Sequence, residues 1–146
     1  MKLAIGSDHA GFLLKERIKQ ALQHAGHEIM DFGCHTPDSA DYPDHGYLAA
    51  RAVARGECQR GIVICATGVG MSMTANKVKG IRAALCHDLF TAEMSRKHND
   101  ANMLVLGARC VEEPLAKELA ALWLQTEFEG GRHQRRVDKI MDGEEC

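Results

Sequence analysis

Cys65-Ala66-Thr67-Gly68-Val69-Gly70 puts a thiol at the end of an apolar run and follows it at once with a glycine-rich turn. Read as strand, turn and helix, the segment aims free backbone N–H groups and a positive helix end at one point. The amides of Ala66, Thr67, Gly68, Val69 and Gly70 could cradle an oxyanion. Cys65 could then ionise below about 8.5, the value of a free thiol. Such a thiolate serves as a base or a nucleophile. The competing reading is a small buried hydrophobe beside glycines that merely turn the chain. A nucleotide loop is disfavoured, because neither the Lys of GxxxxGK[ST] nor GxGxxG is present.

Three other groups could carry chemistry. Asp8 and His9 follow the first apolar run; His can donate to a phosphate or shuttle protons, and Asp can orient a hydroxyl. A helix N-cap by Ser7 or Asp8 would explain them as well. His98 and Asn99 close a helical stretch, as a general acid or base with an amide partner or as a C-terminal cap with Asn left-handed. Arg109 and the cluster Arg132, His133, Arg135 and Arg136 are the third group. Arg132 and Arg136, four apart on a helix, could grip a phosphate dianion with forked N–H donors; a solvated basic face is the alternative. Together the set fits proton abstraction beside a carbonyl on a phosphorylated substrate, with no metal constellation visible.

The elements that must position these groups alternate in type. Apolar runs at residues 2–5, 27–32, 62–65, 81–86 and 103–106 read as strands. Helical patterns cover residues 12–25, 47–55, 71–78, 89–97, 114–126 and 132–141, and residues 33–44, with Pro37 and Pro43, read as a loop. Alternation of this kind predicts right-handed crossovers and a parallel sheet with helices on both faces. Ligands of such sheets bind outside the carboxyl ends of the strands. That singles out residues 6–11, 65–70, His87 with Asp88, and 107–110.

With 146 residues, 45% of them hydrophobic and 26% charged, the chain suits one ordinary domain over residues 1–146. Its 18 basic against 20 acidic residues leave a formal charge of −2. No global basic field exists for nucleic acid or anionic membrane, so any bound anion needs a local site. Cys34, Cys58, Cys65, Cys86, Cys110 and Cys146 show no CxxC pair and no zinc spacing. With no signal-peptide pattern and no run of 18 apolar residues, reduced thiols in a cytoplasmic protein are expected.

GSDHAG, DYP, CATGVGMSMTANK, SRKHNDANMLVLGAR and EGGRHQRRV, in that order, resemble the type B ribose-5-phosphate isomerases of the ribose/galactose isomerase family. The resemblance runs from Lys2 to Ile140. It implies a doubly wound, Rossmann-like α/β/α domain with a five-stranded parallel sheet, and a last helix beyond it. It implies cofactor-free interconversion of D-ribose 5-phosphate and D-ribulose 5-phosphate through a cis-enediolate, a step of the non-oxidative pentose phosphate pathway. A homodimer or homotetramer with active sites shared between subunits is implied too.

Matched position by position, the resemblance makes Cys65 the proton carrier and His98 the ring-opening residue. It makes Asp8, His9, Tyr42, the 66–70 turn and Asn99 substrate contacts, and Arg109, Arg132 and Arg136 phosphate contacts. Ala66 stands where the family commonly has Gly, which the turn tolerates if its φ is negative. Met71 stands where relatives lacking the cysteine carry a Glu. A six-carbon sugar phosphate, such as galactose or allose 6-phosphate, is the nearest alternative substrate. A receiver-like anion sensor would need an aspartate where this chain has Cys65.

Overall fold

The computed structural model describes residues 1–144, so Cys146 lies outside the described residues. Strands β1 (Lys2–Ser7), β2 (Glu28–Asp31), β3 (Arg60–Cys65), β4 (Ala83–Leu85) and β5 (Met103–Gly107) alternate with helices. The helices are α1 (Phe12–His24), α2 (Tyr42–Ala54), α3 (Val69–Asn76), α4 (Leu89–Asn99), α5 (Glu113–Gln125) and α6 (Arg132–Asp142). The strands form one all-parallel sheet in the order β2-β1-β3-β5-β4.

Period-two alternation in β3 and β5 builds two cores. Ile62, Ile64, Leu104 and Leu106 face α1, α4 and α5, where Trp123, Leu119 and Ile18 are fully buried. Val63, Cys65, Met103 and Val105 face α2 and α3, with Ala49, Met71 and Ala75. A strand covered on both faces must be apolar throughout, which is why these runs are continuous rather than alternating. After β1 the chain moves outward to β2, and after β3 to the opposite side. The switch point therefore falls between the carboxyl ends of β1 and β3.

Among the boundaries that differ from the sequence reading, three bear on the site. α2 begins at Tyr42, not at residue 47, because Pro43 fits the first helical turn, where its missing N–H costs nothing. Tyr42 thus stands on a helix rather than in a loop. α3 begins at Val69, two residues early, which shortens the turn after Cys65. β4 is only three residues long. The five described cysteines carry free thiols. Among the described residues no helix is long and apolar enough to cross a membrane.

One ionic cluster locks α1 to β2. The fully buried Lys15 ammonium donates to both oxygens of Asp31, at 2.8 and 2.7 Å, and to Glu16 at 2.9 Å. Lys19 donates to Asp31 and Glu16 as well. Burial opposes the Asp31 charge, but the two ammonium groups and the Gly33 N–H outweigh it, holding its carboxyl below the usual carboxylate range. Breaking a buried pair strands the survivor's charge. Asp31→Asn is expected to lower unfolding free energy by about 3 kcal/mol in urea melts, since Glu16 remains. Adding Lys15→Met should recover most of that loss; unchanged stability in Asp31→Asn would mean the cluster holds nothing.

Candidate active site

β1, β3 and β5 end side by side, so the loops that follow them meet over one edge of the sheet. Cys65 ends β3, 4% exposed, and its Sγ accepts the Gly68 N–H at 3.2 Å. Gly68 caps α3 in the left-handed conformation, φ 79°, and a Cβ there would lie 2.4 Å from Leu85. Only glycine closes the turn this tightly. Asp100 is the one non-glycine residue with positive φ among those described. Ala66 therefore takes its place in the turn without strain. Thr67 Oγ1 accepts the Val69 N–H at 3.3 Å. At Gly70 a Cβ would lie 2.5 Å from the Tyr42 ring, which roofs the turn.

Asp8 is buried and accepts the Gly11 N–H on Oδ1 at 3.0 Å, in the turn ahead of α1; the N-cap itself is Gly11, with no side-chain cap, so neither Ser7 nor Asp8 is the N-cap. Exposed His9 receives the Ala40 N–H on Nδ1 at 3.1 Å. Arg109 is tied to the turn through its backbone: Ala108 N–H donates to Cys65 C=O at 2.8 Å and Arg109 N–H to Ala66 C=O at 2.9 Å. Its side chain is exposed. Asp8, His9, Tyr42, the 66–70 turn and Arg109 thus share the carboxyl edge with Cys65.

His98, Asn99, Arg132 and Arg136 do not. α4 returns the chain to the amino edge, where Asn99 C=O accepts Arg82 Nε at 3.0 Å, just ahead of β4. Glu129 N–H donates to Lys97 C=O at 3.1 Å, which brings the start of α6 to the same end. The six residues of β3 separate the two edges by about 16 Å. Within one chain His98 does not reach Cys65. The left-handed residue closing α4 is Asp100 (φ 46°), not Asn99, because Arg96 clamps the Asp100 carboxylate at 2.8 Å. Asn99 is consequently helical and its exposed side chain does no capping. A cavity of about 440 Å³ between β4 and α6 takes in Asn99 and Arg82 but no other site residue.

Buried His133 stacks on His98, with ring centroids 4.1 Å apart and 13° between planes, and its Nε2 lies 3.6 Å from Glu129. The pair is 35 positions apart, and nothing in the local sequence announces it. Ligand atoms of His98, Glu129 and His133 lie within 4.8 Å of one another. An imidazole binds a metal in its ring plane, however, and two stacked parallel rings cannot both aim at one ion. As placed, the trio is two stacked imidazoles beside a carboxylate rather than a cation cage.

The sequence and the fold have close counterparts. The profile of the ribose/galactose isomerase family matches residues 3–140. The chain belongs to that family. It is 48% identical over 139 residues to the ribose-5-phosphate isomerase B of Escherichia coli, covering 95% of this chain and 93% of that one. Ribose-5-phosphate isomerase B of Clostridium thermocellum superposes with TM-score 0.96 at 55% identity, covering 97% and 96% of the two chains. The Mycoplasma genitalium enzyme with bound ribulose 5-phosphate gives TM-score 0.94 at 42% identity, covering 97% and 94%.

Burial first, then the charges of His98 and Arg132, push the His133 imidazole below its ordinary value of 6.5. The folded state therefore resists protonating it, while the unfolded chain takes the proton near 6.5. Its contribution to stability is complete above that value and declines as the pH falls through it. Thermal melts should show stability dropping from pH 8 to pH 5.5, and His133→Phe, which keeps a ring on His98, should flatten the drop. An identical slope in the variant would remove His133 as the cause.

Proposed function

We propose that this chain interconverts D-ribose 5-phosphate and D-ribulose 5-phosphate, with no metal or organic cofactor in the chemistry. The observation that carries the reading is the Gly68 N–H aimed at the Cys65 sulfur inside the tight glycine turn that leads into α3. His9, Arg109, Arg132 and Arg136 hold the phosphate. His98 and Asp8 open the furanose ring by moving a proton from the anomeric hydroxyl to the ring oxygen. The Cys65 thiolate takes the C2 proton of the open aldose, and the electron pair runs onto the C1 carbonyl oxygen. The sulfur then returns that proton to C1 while the O2 proton passes to O1, leaving the C2 ketone. Amides of the 66–70 turn stabilise the cis-enediolate, whose charge the ground state lacks.

Because the two halves of the site occupy opposite edges, we place the carboxyl edge of one copy against the amino edge of another, as a homodimer or a pair of dimers. The 1–146 chain then acts as one domain contributing to two sites. Its free thiols suit a reducing compartment such as the cytoplasm.

In deuterated water, turnover of ribose 5-phosphate should place solvent deuterium at C1 or C2. Cys65→Ser should lower kcat about 10²- to 10⁴-fold with the fold intact; near-native turnover would end the proton-carrier role. Mixing Cys65→Ser and His98→Ala protomers, each inactive alone, should restore about a quarter of the native activity, since half the dimers are mixed and one of their two sites is whole. No recovery after verified subunit exchange would place both residues in one chain's site.

A further inference from the structure

His87 follows β4 at the carboxyl edge, half-buried, and none of the roles above uses it. Its neighbour Asp88 has a structural task, capping α4 by accepting the Thr91 N–H at 2.8 Å. β4 pairs with β5 through Ala83, Ala84 and Leu85, and Cys86 N–H still reaches Val105 C=O at 3.2 Å. The next rung of a parallel ladder would give Gly107 N–H to a β4 carbonyl. The strand has ended by then, and a buried amide needs some other acceptor. His87 Nε2 accepts it at 3.2 Å.

Gly107 is the residue on which the carboxyl edge turns. It is the register partner of Cys65. Its C=O accepts the N–H groups of Cys110 at 2.9 Å and Val111 at 3.2 Å, which folds the Arg109 loop back on itself. A Cβ on it would lie 2.6 Å from the Thr67 carbonyl, so the Thr67 backbone rests directly on Gly107. Moving Gly107 would therefore move the Arg109 loop and the 66–70 turn together.

We infer that His87 is a positioning residue of the site: its imidazole replaces the missing rung of β4 and fixes Gly107, and through it the donors that meet the substrate's anionic group. The inference rests on the proposed use of Arg109 and the turn amides. A backbone N–H cannot accept, so Nε2 must offer its lone pair, and the neutral ring carries its proton on Nδ1.

Inorganic phosphate binding to the intact protein, measured by calorimetry, tests this without requiring turnover. His87→Phe keeps a ring but offers no acceptor, and it should bind phosphate about tenfold more weakly. His87→Gln, whose side-chain oxygen can stand near Nε2, should recover most of that loss. Native affinity in His87→Phe, or equal losses in two folded variants, would overturn the assignment. Should His87→Phe fail to fold, nitrogen-15 spectra of the native protein decide: a pyridine-type Nε2 and a pyrrole-type Nδ1 support the inference, and the reverse tautomer refutes it. Failure of the native protein to isomerise pentose phosphates while these signatures hold would sink the proposed reaction and leave the His87 contact standing. Failure to bind phosphate at all would sink the phosphate reading, with the tautomer again judging His87.

Discussion

A sheet whose strands all run one way imposes the geometry of this molecule. Every strand-to-helix loop opens on the carboxyl edge, and helices α1 to α5 bring the chain back to the other. Cys65, Asp8 and Arg109, far apart in sequence, meet because each lies at or just after the carboxyl end of a strand. His98 is kept away for the same reason, since it ends a helix. The separation is about the length of β3, and no side chain rotation bridges it.

At the carboxyl edge, backbone packing does the positioning. Gly68 and Gly107 lack side chains where Leu85 and Thr67 press closest, and Gly70 where the Tyr42 ring lies. Each approach removes room for water and leaves amides pointing into the turn. Donors fixed this way need little reorganisation when charge develops nearby, which is the physical basis of oxyanion stabilisation. Aliphatic burial in both cores supplies the rigidity, with Met71 fully buried beneath the turn.

Charge is arranged locally rather than globally. A chain of formal charge −2 does not attract anions as a whole, and the exposed Arg109, Arg132 and Arg136 sit at the two edges where the proposed substrate's phosphate would be held. α6 buries only His133 and Val137 among its residues, so Arg132 and Arg136 stand beside the buried stripe, facing outward. That surface is what an amino-edge half-site would present to a second copy. Stacking of His133 on His98 gives the half-buried His98 imidazole a fixed backing on the same surface.

Sequence alone determined the fold class, because continuous apolar strands separated by amphipathic helices admit a parallel sheet covered on both faces and little else. It also located the thiol-bearing turn, since Gly68 and Gly70 beside Cys65 record a local backbone demand. Helix starts at Tyr42 and Val69 were misplaced by a few residues, as a proline in a first turn and a tight glycine cap leave weak periodic signals. Which residues share an edge was decided only in three dimensions. The His98–His133 stack, the left-handed Asp100 and the His87–Gly107 contact all join segments whose meeting depends on strand order and strand length, and neither quantity is written in any local stretch of residues.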